Sequence, residues 1–462
     1  MEIRVTSDPI SKRHFYGLGV EADGALYNEH NRRSKVSEQE LEMIEDRIRA
    51  LRPSLMRMFF NAGAICPNLE PAALDANSEE YRNNLRMLKV LQGAGAMANV
   101  VLFEPFRIET PKLDDAVRCM AAIVKKLHKD EGCNHIRWLT LYNEPESAFP
   151  HDSALMRRVF GKECMKRLHT WDDYLHINKL ADSLLREYGL YPEVRLAVPD
   201  CVWGAQVRKE RMTLAAKEFA GMDVAYAYHN YNAEDRKFYE GGNPDFHYDG
   251  MRPEAQYFRD LLGPDKPLIV WEFNLAGTNF GSHFPGVDEH GCNVLETPNA
   301  GARICDKVMH ALAAGVDGFC LWTVSDMHYY SDAYQLGVMR FGLWRYKYEG
   351  WLIRPYAYYY AALCHALRPG SRFLKIDGIE PPVNAVACKA TEGKTAALLN
   401  NGPLTADIAI QWEGGFSPTR LLRLTPGRID AGAPFPVKWE TAEGKAAPEW
   451  TLQPYELLVA SE

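Results

Sequence analysis

Two glutamates stand where the chain could carry out proton transfer and nucleophilic attack. Glu144 ends the run Trp138-Leu-Thr-Leu-Tyr-Asn-Glu144 and is followed by Pro145; Glu272 lies in Pro267-Leu-Ile-Val-Trp-Glu272-Phe-Asn274. Both runs are apolar enough to be buried. Pro145 has no backbone N–H and favours an extended residue before it, so a strand should stop at an extended Glu144. Two carboxylates can divide acid and nucleophile roles when their surroundings push their pKa values apart. Other reactive types sit in similar runs: Arg57 in Leu55–Phe60, Asn143 beside Glu144, His229 and Tyr231 in Val224–Tyr231, and Trp322 closing Val316–Trp322.

Such residues need a scaffold that brings run ends together. Eight apolar runs recur: 15–21, 55–60, 98–104, 138–144, 194–200, 224–231, 267–274 and 316–322. Between them lie segments of helical spacing, such as Leu41, Ile44, Ile48 and Leu51, or Leu85, Leu88 and Leu91 before Gly93, a plausible C-terminal glycine. Runs without polar alternation fit a parallel sheet covered on both faces. Repeated βα units, eight in number and without a G-x-G-x-x-G or P-loop, predict a (β/α)8 TIM barrel over residues 14–368. In that fold the strand C-terminal ends carry the chemistry. Beyond Arg368-Pro369-Gly370 the pattern changes to short strands (384–388, 395–399, 407–412, 420–424, 455–459) separated by turn clusters. Residues 370–462 are therefore expected to form a small all-β sandwich, possibly joined by an N-terminal strand at 2–6.

Composition narrows the function classes. A net charge of −8 with no long run of one sign argues against nucleic acid or an anionic membrane as partner. The ten cysteines show no C-x-x-C or Cys/His metal spacing, and several lie in apolar segments, so no metal site is expected. Nor is there a run of eighteen apolar residues or an apolar leader at the N-terminus. The expected location is the cytoplasm, or outside the cell after removal of a leader. Ten Trp and twenty-three Tyr offer flat amphipathic faces that suit sugar rings.

Asn143-Glu144-Pro145 on the fourth run, with Glu272 on the seventh, resembles clan A of the glycoside hydrolases, most closely families 5, 30 and 39. Trp271-Glu272-Phe-Asn274 is similar to families 39 and 5, and Arg57 with His229-Asn-Tyr231 to family 5. The trailing β-sandwich recurs in families 30 and 39. The resemblance implies a retaining glycosidase without cofactor or metal, acting on an oligosaccharide, polysaccharide or glycoside. Glu144 would be the acid/base and Glu272 the nucleophile. Carboxyl groups about 5–5.5 Å apart accompany retention, and about 6.5–9.5 Å inversion.

The remaining roles follow from position. Arg57 would keep Glu272 charged, since a neighbouring cation lowers a carboxylate pKa. Asn143 would donate to the sugar 2-OH, Tyr231 would hydrogen-bond the nucleophile, His229 would line the same wall, and Trp322 would floor the sugar. Glu21, Asp23, Glu104, Trp203 and Asn274 could read hydroxyls or support the site. Glu104-Pro105 mimics the acid/base motif but lacks the preceding Asn and falls on the third run. Two long loops, 275–298 and 325–350, would rise over the mouth. The second carries Tyr329, Tyr330, Tyr334, Trp344, Arg340 and Arg345, and the arginines could read an acidic sugar. A catalytically silent sugar-binding barrel would keep the aromatics but lose a carboxylate; a transglycosylase would look the same.

Overall fold

The computed structural model describes the chain except residues 23, 104–107, 146–168, 203, 232–250, 282, 329–336, 430–434, 437 and 443–448. Eight strands close a parallel barrel in sequence order: β2 (Gly17–Glu21), β3 (Leu55–Phe60), β4 (Met97–Leu102), β5 (Ile136–Thr140), β6 (Arg195–Cys201), β7 (Ala225–Asn230), β8 (Leu268–Phe273) and β9 (Gly318–Leu321). The barrel closes where Gly17–Val20 pairs with Gly318–Leu321. Nearly every strand residue is buried, because the lumen fills one face and helices cover the other. Leu55, Trp138, Ala197, Ala227, Ile269, Trp271 and Cys320 pack inside the barrel; Met56, Leu139, Leu196 and Val270 face the helices.

Local signals set the helix limits. Ser37 and Glu40 form a reciprocal capping box at the start of the helix Glu38–Leu51. The helix Glu79–Ala94 passes through Gly93 and ends at Gly95, which takes the left-handed conformation (φ 80°). Gly93 was the expected stop. Gly95 is the residue placed where the chain must reverse into β4, so it takes the turn instead.

The second unit is one continuous nine-stranded ladder. To β1 (Glu2–Pro9) it adds β10 (Arg372–Asp377), β11 (Val383–Ala390), β12 (Gly393–Asn400), β13 (Ala406–Trp412), β14 (Arg420–Leu424), β15 (Glu440–Thr441), β16 (Glu449–Leu452) and β17 (Leu457–Ser461). Their order is β15-β14-β17-β12-β11-β10-β1-β13-β16. The ladder folds on itself, so Ile3, Val5, Ile408 and Ile410 share a core with Leu398 and Leu458. The N-terminal segment thus joins the two halves, running antiparallel to β10 and parallel to β13. Alternate residues Ala397, Leu399, Leu457 and Val459 face the other way, into the core of the barrel unit.

The seam between the units is specific. Asp306 accepts from the side-chain amides of Asn384 (2.9 Å) and Asn401 (3.2 Å), and the Tyr359 hydroxyl donates to the Tyr455 carbonyl (2.8 Å). Tyr359 lies on the helix Pro355–Ala366, against Gly301 of the helix Ala300–Ala313. A β-carbon on Gly301 would sit 2.2 Å from a Tyr359 ring carbon. Gly301→Ala must therefore displace that ring. The expected loss, read from urea denaturation, is about 1–3 kcal/mol of stability, as for other overpacked sites.

Candidate active site

The barrel's C-terminal mouth gathers its charges around one buried guanidinium. Arg57, wholly buried on β3, reaches across the lumen. Its Nη1 donates to Glu272 Oε1 on β8; Nη2 donates to Asn143 Oδ1 (2.6 Å) and Asp200 Oδ2 (2.5 Å). The guanidinium also lies over the Phe59 ring, 4.5 Å from its centroid. An isolated buried cation is costly, and here two carboxylates and an amide oxygen surround it.

Asp200, next to last in β6, is also fully buried. Its second oxygen, Oδ1, accepts from His229 Nε2 at 3.1 Å. Burial opposes charge on Asp200, but Arg57 and His229 outweigh it and hold the carboxyl below its ordinary range. His229 is bracketed on the other side: Nδ1 donates to Glu144 Oε1 (3.1 Å) and lies 3.5 Å from Glu272 Oε2. Burial disfavours the imidazolium, yet Glu272 and Asp200 together raise its pKa to about 10. It is a cation at neutral pH, with both ring nitrogens donating.

Glu272 is 4% exposed. Tyr231 donates its hydroxyl to Oε2 at 2.8 Å, and burial followed by the Glu272 charge holds that phenol far above its ordinary pKa, hence neutral. The expected net lowering of the Glu272 pKa is not found. Burial pushes it up, Glu144 adds to that, and His229, Arg57 and Tyr231 oppose without cancelling it.

Glu144 departs from the predicted local structure. β5 ends at Thr140, and Glu144 lies four residues later in the left-handed region, φ 50°, rather than extended before Pro145. Its N–H donates to the Asp200 carbonyl (3.1 Å), and Asp200 is itself left-handed (φ 63°). This cross-strand hydrogen bond, absent from any local pattern, holds the turn. It aims a side chain that is 27% exposed, the most open of the charged groups. One carboxylate oxygen of Glu144 and one of Glu272 lie within 4.8 Å of each other, with His229 between. The same spacing could suit a cation. The donor set does not: both His229 nitrogens already donate to carboxylates, and Arg57 adds a second positive charge.

Other predicted residues support rather than face the mouth. Glu21 is fully buried and accepts from the Thr323 hydroxyl, which is the supporting one of its two expected roles. Asn274 is likewise buried. Its Nδ2 donates to the Trp322 and Phe341 carbonyls and its Oδ1 accepts from the Leu275 N–H, so it fixes the chain after β8 and β9. Buried Lys307 ties the same region by donating to the Asn230 (2.7 Å) and Asn274 (2.9 Å) carbonyls. Trp322 packs edge-on against Phe59, ring centroids 6.0 Å apart. Trp344 is buried core and Arg345 is held by Glu296, which also accepts from Arg354, so neither is placed to read a sugar. Arg340 is exposed. Asp23, Glu104, Trp203, Tyr329, Tyr330 and Tyr334 lie outside the described residues.

Two residues at this mouth were not singled out from sequence. Asp200 ends its run as Glu144 ends its own, and that position was the available signal. Phe280, on the loop after β8, is 40% exposed yet packs on the Tyr231 ring (5.3 Å) and on Phe341 (5.9 Å).

No protein-family model and no curated protein matches this sequence. Solved structures match its fold along the whole chain. A GH30 endoxylanase from Clostridium papyrosolvens has a TM-score of 0.63 at 13% identity, covering 100% of this chain and 99% of that one. A glucosidase from Croceicoccus marinus has 0.64 at 12%, covering 100% and 98%. A conserved exported protein from Bacteroides fragilis has 0.68 at 11%, covering 100% of both. The shared feature is the fold: a closed eight-stranded parallel barrel carrying a β-rich second unit. No helix among the described residues is long and apolar enough to cross a membrane.

Asp200→Ala leaves Arg57 and His229 short of a buried counter-charge. We expect it to cost about 3–5 kcal/mol in urea denaturation, as for other broken buried pairs. His229 generates a pH signature as well. Its folded pKa, about 10, lies above the ordinary 6.5. The stabilisation is therefore complete below the lower value and lost as pH rises through the upper one. The stability gap between wild type and His229→Asn should shrink over that window; a gap constant with pH would refute the cationic imidazole.

Proposed function

We propose that the chain is a retaining glycosidase acting on a β-glycoside of an oligosaccharide, a polysaccharide or a smaller conjugate. The observation that carries this reading is the 4.8 Å limit on the gap between Glu144 and Glu272 oxygens. That spacing suits direct attack by one carboxylate and falls short of the roughly 6.5–9.5 Å separation by which an inverting enzyme seats its water beside the substrate. The named neighbours, an endoxylanase and a glucosidase, share the scaffold and support the same class.

The roles follow from the surroundings. Glu272 attacks the anomeric carbon. Arg57 on Oε1 and Tyr231 on Oε2 fix the carboxylate plane, and each oxygen keeps a further lone pair for the new bond. Arg57 and His229 are positive while Asp200 and Glu272 are negative, so the buried cluster balances without Glu144. The more open Glu144 can thus carry the proton that the departing oxygen needs. Once the glycosyl ester forms at Glu272, the anionic Glu144 receives the His229 N–H and draws a proton from the incoming water. Asn143 commits its Oδ1 to Arg57, which leaves its amide N–H groups for the sugar 2-OH.

Rings flank this carboxylate pair on two sides. Trp322 with Phe59 forms one wall, and Tyr231 with Phe280 the other. A half-exposed ring beside the nucleophile suits the C–H face of a pyranose.

The reading is tested with a panel of aryl β-glycosides. Glu144→Ala should lose about 10²–10⁴-fold on poor leaving groups, far less on activated ones, and azide should restore it with retained configuration. Glu272→Ala should be restored by azide with inverted configuration. Full activity in either variant would remove that residue from the mechanism. Phe280→Ala should raise KM about two- to tenfold while leaving the pH profile in place, the loss expected for one ring contact. An unchanged KM would remove Phe280 from the binding wall.

A further inference from the structure

A cavity of about 190 Å³ opens between the barrel and the nine-stranded sheet, near the N-terminal ends of the barrel strands. That is the end opposite Glu144 and Glu272. Its walls gather basic residues from three elements. Arg52 follows the helix Glu38–Leu51 as a left-handed cap (φ 53°). His365 and Arg368 stand at and just past the end of the helix Pro355–Ala366, and Arg420 begins β14. Trp439 completes the wall, with the Arg420 guanidinium 5.3 Å from its ring centroid. Glu392, in the β11–β12 turn, is the acidic member of the lining.

The fold consumes these cations only in part. Arg368 donates to the Arg52 and Cys364 carbonyls (3.1 Å each), and His365 to the Ala50 carbonyl (2.8 Å). Capping of helix carbonyls accounts for those two side chains. It does not account for Arg52 or Arg420. Arg420 reaches the Ser461 hydroxyl only at 3.4 Å, and among the described residues none of the three arginines is in a salt bridge. Burial and then the Arg52 charge push the Arg368 pKa down, and both arginines, after burial, push His365 down. In a chain with 61 acidic and 53 basic residues, Arg52 and Arg368 line one cavity at an electrostatic cost to each other, and Arg420 adds a third positive charge to the same lining. An anion seated among them would relieve that repulsion.

We propose that this cavity binds an oxyanion group, a carboxylate, sulfate or phosphate, gripped by the guanidinium forks of Arg52, Arg368 and Arg420 with Trp439 as a flat wall. Guanidinium forks match the geometry of such groups, and an indole face beside them suits a ligand carrying a ring. The proposal is independent of the glycosidase reading, because it concerns another end of the molecule.

The test is titration calorimetry on the full chain at fixed ionic strength, with sodium phosphate, sodium glucuronate and, as the uncharged control, glucose. Arg52→Gly removes the guanidinium while keeping a residue at ease in the left-handed conformation. Arg420→Gln alters an exposed position, so neither variant threatens folding. We expect saturable binding of at least one anion, weakened roughly tenfold by each variant, with hydrolysis of aryl glycosides unchanged. Phosphate alone would mark a free small anion; glucuronate alone, or more tightly, would mark an acidic sugar. Absence of saturation by both anions, equal binding of glucose, or undiminished binding in the double variant would overturn the proposal.

Discussion

The barrel mouth depends on burying Arg57. One guanidinium with no solvent exposure meets Glu272, Asp200 and Asn143, which come from three different strand ends. Removing such a cation from water costs several kcal/mol, and only close, well-directed acceptors offset it. The acceptors are therefore held as firmly as the arginine. Asp200 passes the constraint on: its side chain fixes His229 and its carbonyl fixes the Glu144 backbone. Both glutamates are thus positioned through one connected set of charges rather than by separate local contacts.

That connectivity explains what could be read from the chain and what could not. Eight apolar runs, most of them ending in polar or aromatic residues, are a strong pattern; Glu144, His229, Tyr231 and Glu272 stand at or near such ends and Arg57 within one, and the structure brings them together. Asp200 met the same criterion, but an Asp after Pro199 also reads as a turn residue. The left-handed Glu144 was invisible because a partner 56 positions away, Asp200, sets its backbone. Asn274 and Glu21 show the converse difficulty. A strand-end polar residue either faces the mouth or braces its neighbours, and run composition alone does not say which. That an N-terminal strand joins the sheet was legible, but its place between β10 and β13 was not, since pairing between residues 2–5 and 409–412 leaves no trace in either segment.

The two ends of the molecule carry charge differently. At the mouth, cations and anions alternate over short distances and nearly cancel, which suits the proposed transfer of one proton and one glycosyl group. At the seam between barrel and sheet, arginines gather with a single carboxylate among them. The sheet is also bonded to the barrel through Asp306 and Tyr359, so the cavity walls are set by packed elements from both units.

The central claim is that Glu272 forms a covalent bond to the sugar. The direct measurement is mass spectrometry of the intact protein and its peptides after incubation with the 2-deoxy-2-fluoro form of the best aryl β-glycoside. That substitution slows hydrolysis of the intermediate more than it slows its formation. The account predicts one added fluoroglycosyl group, on the peptide containing Glu272 and at that residue. An adduct on another carboxylate, or normal turnover of the parent glycoside with no adduct and inverted configuration, would contradict it.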